Sequence, residues 1–354
     1  YGWKCLIVMD PGLTAALAIG LASYVSYATD LTPTAEKVVA IGVIASLAAV
    51  NIRGARMGAG VLRAFTVLKL VLVTGLIVWG LALQLGDWRH FVPFVAQRSG
   101  SAPLPGALAG GLVAAFFSFG GWWDSAKLAG EVKDPARTLP RALVLGVVIV
   151  LLLYILTSAV FLYLVPLERV TSGEAFAAQA GEVLFGRAGG RIFAWIVVIS
   201  VVSSLAGLMM AAPRVYYAMA RDGVFPAAMA AVHPRFGTPA RAILLQSVLA
   251  GILVLLGTFS QIIAYFIFVT VGFVALTVTA VFVLRRREPD VPGYRIPAYP
   301  LPMLIFLALV LVLLILLAGQ NPVQAALGVG AMALGFPVYR LVFRNTDILD
   351  RAKT

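Results

Sequence analysis

The stretch of this sequence best equipped to bind a small molecule is Phe116-Phe117-Ser118-Phe119-Gly120-Gly121-Trp122-Trp123-Asp124. A glycine pair sits within an apolar run, with aromatics on both sides and a carboxylate at the far end. Adjacent glycines favour unwinding because no Cβ restrains φ. Unwinding inside a membrane frees backbone N–H and C=O groups, which must then line a cavity or meet a ligand. The bland alternative is that Gly120 and Gly121 only let helices pack closely. Lys69 is the second unusual residue, the one cation between Arg63 and Gln84. A Lys at membrane depth costs a few kcal/mol and usually faces the protein interior. Snorkelling back to the interface competes with that reading, but six residues beyond Arg63, at ~1.5 Å each, Lys69 lies about 9 Å deeper. Asp10, before Pro11, reads as a local cap or an ion-pair partner for Lys4. Hydrolytic or transfer chemistry needs paired acid/base groups or metal ligands. The apolar runs offer only Lys69, Asp10 and Asp124, far apart in sequence and without His. An enzyme is therefore not expected. With two His and one Cys in the whole chain, neither a metal cluster nor a disulfide is expected, and no cofactor is called for. Cys5 reads as a small apolar filler.

Those residues must be positioned by membrane helices. Hydrophobic residues make up 61% of the 354 and charged residues 12%, with mean hydropathy +0.99, far too little charge for a soluble surface. A membrane helix needs roughly 20 apolar residues. Uncharged runs of that order cover 11–29, 99–123, 142–167 and 192–213. The runs 242–284 and 296–339 are each long enough for two spans. They divide at Gly257-Thr258-Phe259-Ser260-Gln261 and at Gly319-Gln320-Asn321-Pro322. With two further runs, the sequence predicts ten spans near 4–28, 37–52, 62–84, 105–131, 140–165, 188–213, 241–257, 260–284, 301–318 and 322–341. On the far side of the fifth span, 171–185 reads either as a short helix over the outer mouth or as a surface loop.

The cations sort by side. Assigning loops alternately places 20 of the 27 Lys and Arg on the side of residue 1 and six on the other, with Lys69 inside a span. Cytoplasmic loops carry the excess of Lys and Arg, so residue 1 and the C-terminus are expected in the cytoplasm of a cell (plasma or inner) membrane. The net charge of +12 is then a topology signal and calls for no nucleic acid. Tyr1-Gly2-Trp3 reads as the interfacial edge of a helix already under way in a larger chain. No secretory leader is recognisable in the first run.

Read together, the motifs resemble a known family. Phe117 to Trp122, followed by Ala129-Gly130-Glu131-Val132-Lys133-Asp134-Pro135-Ala136-Arg137-Thr138-Leu139-Pro140-Arg141-Ala142, resembles the sixth helix and following loop of the amino acid–polyamine–organocation superfamily. The closest branch looks like the L-type amino acid transporters and their bacterial relatives. Asn51-Ile52-Arg53-Gly54 is similar to the loop after the family's fourth helix. Arg214 to Pro226, with His233-Pro234-Arg235-Phe236-Gly237-Thr238-Pro239, is similar to the loop after its eighth. Arg285 to Asp290, with Gly293-Tyr294-Arg295-Ile296-Pro297, is similar to the loop after its tenth.

The resemblance implies an all-α polytopic membrane protein with a LeuT-type 5+5 inverted-repeat transporter fold. About ten of the twelve helices would be present. Residues 1–354 then form one transmembrane domain matching family helices three to twelve, with 105–285 the second inverted repeat and 301–341 two additional C-terminal helices. Helices one and two, with the first helix's half of the substrate cradle, would be absent. It further implies a secondary transporter of amino acids working by alternating access, as an exchanger or a proton-coupled symporter. A polyamine transporter is the alternative, but a polyamine would require several buried carboxylates. By position, Phe117 matches the aromatic gate over bound substrate. Ser118 opens the unwound segment, and Phe119, Gly120 and Gly121 match the part of it whose carbonyls meet the substrate amine. Trp122 and Trp123 match positions shaping the side-chain pocket. Trp123 departs from some L-type members, which have a smaller polar residue there, and so counts against large neutral substrates. Lys69 matches a fifth-helix lysine whose ammonium takes the place of a coupling sodium, and should point towards Ser200, Ser203 or Ser204. Eukaryotic L-type members use a single-span partner glycoprotein, so such a partner, or a homo-oligomer, stays open.

Overall fold

A computed structural model describes residues 2–54, 59–92, 103–122, 132–166, 175–223, 225–287 and 296–343. Their apolar runs fold into ten helices: α1 Gly2–Thr29, α2 Pro33–Ile52, α3 Ala59–Ala82, α4 Leu104–Ser118, α5 Pro135–Leu164, α6 Phe176–Arg221, α7 Ala240–Leu256, α8 Phe259–Arg287, α9 Leu301–Gln320 and α10 Pro322–Phe343. Each matches one expected span. Seven are long and apolar enough to cross a membrane by length and composition, and α4, α7 and α10 are shorter apolar helices. The chain is a multi-pass membrane protein.

Local chemistry explains most of the boundaries. Pro33 and Pro135 stand at the starts of α2 and α5, where a missing N–H costs nothing. Thr32 caps α2 by accepting from the Ala35 N–H at 3.3 Å. The expected divide at 257–261 is a reciprocal cap. The Thr258 N–H donates to Gln261 Oε1 at 3.0 Å, and the Gln261 N–H donates to Thr258 Oγ1 at 3.4 Å. Asn321 separates α9 from Pro322, the first residue of α10. Hydroxyls within the spans satisfy themselves by donating one turn back, as Thr157 does to the Leu153 carbonyl at 2.6 Å.

α1 is the axis of the bundle. It packs most extensively on α6 and also meets α2, α7 and α8. Its inward face is small, with Ala15, Ala16, Ala18 and Ala22 all at most 1% exposed. Lipid is as apolar as a side chain, so close packing and not water exclusion must hold membrane helices together. Alanines allow that approach. A second apolar cluster joins α3, α5 and the outer part of α6 through Leu76, Val160, Tyr163 and Leu184.

Three details depart from the sequence reading. Residues Cys5–Met9 form a π-helical turn within α1. α6 begins at Phe176, ahead of the expected 188, and bends at Gly186, whose φ of 72° is a left-handed value. The helical reading of 176–185 therefore holds over a loop, while 171–174 lie outside the described residues. Asp10 does more than cap locally: it is buried and accepts a hydrogen bond from the Tyr216 hydroxyl on α6.

Inter-helix contacts sort by end. At the end of residue 3, the Trp3 indole donates to the Ala331 carbonyl at 2.7 Å and Thr238 Oγ1 donates to the Ile52 carbonyl at 2.6 Å. The second contact joins two of the motif loops. At the other end the Tyr27 hydroxyl donates to Glu182 at 2.5 Å, and Lys37 donates to the Leu255 carbonyl at 2.9 Å.

Candidate functional site

Regular bonding in α4 stops where the glycine pair approaches. Phe119 N–H still bonds to the Ala115 carbonyl at 2.9 Å, but Gly120 N–H turns to the Phe117 carbonyl, only three residues back, at 3.0 Å. Gly121 then takes φ 105°, which an L side chain resists. Among the described residues, a Cβ on Gly121 would meet nothing within 4 Å, so no close helix contact is seen at that glycine. Residues 119–121 form a turn, so this segment carries backbone groups outside regular helix bonding.

The break is framed by aromatics. The Phe117 ring packs edge-on against Phe259 and Phe266 of α8, with centroids 6.2 and 6.0 Å apart. Phe266 in turn lies against Gly12 of α1, where an added Cβ would stand 3.4 Å from it. α1, α4 and α8 thus converge around Phe117 and Phe266. Phe119 faces the other way, edge-on to Tyr154 of α5 at 5.1 Å. Ser118, Gly120 and Trp122 line a 270 Å³ cleft against α5. Trp123 and Asp124 lie outside the described residues.

Lys69 belongs to a different helix pair. Its side chain crosses from α3 to α6 and donates to Ser204 Oγ at 2.7 Å. Beside it is a 160 Å³ pocket lined by Phe65, Leu72, Ile196, Ile199 and Ser200. Of the three serines expected near it, Ser204 is the partner and Ser200 a pocket wall, while Ser203 is buried elsewhere on α6. Lys69 thus reaches across to the neighbouring helix with its side chain half-buried.

Several residues were missed by sequence reasoning. Phe259 and Phe266 look like ordinary span aromatics, and nothing local marks them as partners of Phe117. Tyr216 sits in the quoted Arg214-to-Pro226 motif, which marks its position but not its partner. The Asp10–Tyr216 contact is buried on both sides, with exposures of 3% and 0%. The Tyr216 hydroxyl also reaches the Cys5 carbonyl at 3.4 Å, within the π-helical turn. Tyr216→Phe is expected to lower stability by about 1–3 kcal/mol, because it takes a donor from a buried carboxylate. The thermal midpoint in detergent reads this, and an unchanged midpoint would show that the contact contributes nothing net.

The sequence is similar to known proteins. A family model described as "Amino acid permease" matches residues 3–339. The chain is 32% identical over 303 residues to the "Serine/threonine exchanger SteT" of Bacillus subtilis, covering 84% of this chain and 68% of that protein. It is 27% identical over 350 residues to the human "Large neutral amino acids transporter small subunit 2", covering 96% of this chain and 64% of that one. A third relative, the "b(0,+)-type amino acid transporter 1" of Oryctolagus cuniculus, is 29% identical over 304 residues, covering 82% of this chain and 61% of that one.

Proposed function

The chain belongs to the amino acid permease family, and on that premise we propose that it moves amino acids across a cell membrane by alternating access, as an exchanger or a proton-coupled symporter. The observation that carries this reading is the α4 break, where residues 119–121 leave the helix between aromatic side chains. In the proposal, carbonyls of Phe119, Gly120 and Gly121 meet the substrate amine, Phe117 closes over it, and Trp122 and Trp123 shape the side-chain pocket. Lys69 stands in for a coupling cation. The domain assignment belongs to the same proposal: 1–354 one transporter domain, 105–285 its second inverted repeat, and 301–341 two additional helices. So does the orientation, with residue 1 and the C-terminus in the cytoplasm, supported by the cation asymmetry of the loops.

Small neutral substrates are the leading class. The bulky Trp123 in the motif and the serine/threonine exchanger among the relatives both support this. The test is counterflow. Proteoliposomes holding the intact protein are preloaded with serine, and entry of a labelled amino-acid panel is followed with and without an inward pH gradient. Serine inside is expected to accelerate entry of small neutral amino acids. Entry of a polyamine with no amino-acid flux would overturn the reading.

A further inference from the structure

Three consecutive cations, Arg285, Arg286 and Arg287, close α8. Gly12 of α1 lies against Phe266, and Lys4 stands over the Phe273 ring at 5.7 Å. α8 therefore runs antiparallel to α1, and its last turn emerges at the same end of the bundle as residue 3. Cations there have two ordinary explanations, topology and the negative end of the helix dipole. Neither asks that a side chain be held in one place. Arg285 is held: its guanidinium lies over the ring of Tyr299, 4.3 Å from the centroid, in the turn leading into α9. Tyr299 also packs on Phe282, one turn earlier on α8, at 5.7 Å. The ring thus pins the cation at the seam of α8 and α9. A ring against the flat face of a guanidinium leaves its N–H edge available to an acceptor. Among the described residues no carboxylate is within ion-pair reach of the three arginines.

We propose that the α8–α9 seam at Arg285 and Tyr299 binds the phosphate of an anionic phospholipid. Depth supports a lipid. Arg285 stands 26 residues after Phe259, the first of α8, which is about 39 Å at ~1.5 Å each. The hydrocarbon core is about 30 Å thick, and the bilayer with its headgroups about 40–45 Å. For a helix entering the membrane at its first turn, the guanidinium falls among the phosphates. Beside it, Leu284 of α8 and Leu301, Leu304 and Ile305 of α9 are each more than half exposed and can receive an acyl chain. A soluble anion gains nothing from that surface. Arg285 supplies the paired N–H donors that a phosphate takes, and Arg286 and Arg287 add to the field. The first turn of α9 does not compete for the phosphate. The Leu301, Met303 and Leu304 N–H groups already donate to the carbonyls of Ala298 and Pro300, and Pro302 has none. A zwitterionic lipid brings its own ammonium beside the phosphate and gains less from three cations. The inference goes beyond the transport reading and does not depend on it, because its measurement is binding.

The experiment titrates the intact protein in detergent with a fluorescent phosphatidylglycerol. Arg285→Gln is expected to weaken binding about tenfold, the lower end for a lost hydrogen bond between charged groups. Tyr299→Leu changes no charge and is expected to weaken it about threefold, by releasing the guanidinium. Arg53→Gln removes an exposed cation from the end of α2, at the same end of the bundle, and should bind as the wild type does. Equal losses in Arg53→Gln and Arg285→Gln would reveal general attraction of charge and overturn the proposal. Wild-type affinity in Tyr299→Leu would overturn it too. Competition then identifies the ligand class. Unlabelled phosphatidylglycerol is expected to displace the probe, and neither phosphatidylcholine nor glycerol 3-phosphate at the same concentration should do so. Displacement by glycerol 3-phosphate would make this a site for soluble anions, and equal displacement by phosphatidylcholine would remove the role of net charge; either result sinks the inference. Should Arg285→Gln fail to fold, Arg285→Lys keeps the charge and loses the planar fork. Binding about threefold weaker is then expected, and wild-type affinity counts against the site.

Discussion

Lys69→Ala is expected to cut amino-acid flux by roughly tenfold or more while leaving the protein as stable as before, or more so. The two parts of this outcome have a common origin. A lysine in an apolar span costs a few kcal/mol relative to an apolar residue. One hydrogen bond to Ser204 at 2.7 Å returns only about 1.5–3 kcal/mol of that, the range for a bond to a charged group. Replacing a partly buried charge by an apolar group is often neutral or stabilising. The orphaned Ser204 hydroxyl can donate one turn back along α6, as other hydroxyls in these helices do. Stability therefore gives no reason for Lys69 to be where it is, and a role in transport is the reading that this variant tests. The discriminating measurement is flux with and without an inward pH gradient. Stimulation that vanishes in the variant assigns Lys69 as a proton carrier. Exchange that ignores the gradient in the wild type, and is lost in the variant, assigns it as a fixed cation in place of sodium. Full flux in Lys69→Ala would refute both roles.

Gly121→Ala tests the break itself, and its effect should be nearly as large. At several glycines in this bundle an added methyl would collide. At Gly80, for example, a Cβ would stand 2.6 Å from Val160. Among the described residues Gly121 has no heavy atom within 4 Å of its virtual Cβ, so alanine there meets no steric obstacle from them. What remains is its φ of 105°, well outside the left-handed basin near +57°. Holding an L residue there costs of order 1–3 kcal/mol. If the segment instead relaxes to escape the strain, its carbonyls move away from the substrate amine. KM is then expected to rise about fivefold to a hundredfold, since 1.4 kcal/mol corresponds to a factor of ten. Gly110→Ala is the matched comparison. It too has open space around its virtual Cβ, but lies within regular α4 helix, where alanine is favoured over glycine. A Gly121→Ala protein with wild-type KM would show that the left-handed turn contributes nothing to substrate binding.

The sequence by itself determined the number of long helices among the described residues and most of their ends. Uncharged runs, Pro33, Pro135 and Pro322, and the Thr258–Gln261 pair are local signals, and each acts on the backbone within a few residues of itself. The same holds for the α4 break, because the conformational freedom of Gly120-Gly121 is a property of those two residues. The reach of Lys69 towards α6 was legible because its cost in lipid leaves few other placements, and Ser204 was one of three serines named for it. Only the tertiary structure decided which apolar surfaces meet. Phe117 against Phe259 and Phe266, Asp10 with Tyr216, and Tyr154 with the Ser118 carbonyl join residues 36 to 206 positions apart. In a soluble protein the pattern of polar and apolar positions marks the buried face of a helix. Here lipid and protein interior are equally apolar, so a lipid-facing phenylalanine and a packed one read the same until the helices are placed side by side. The bend at Gly186 and the π-helical turn at Cys5–Met9 follow the same logic. Gly186 permits its φ of 72°, but neither feature is announced by the residues around it.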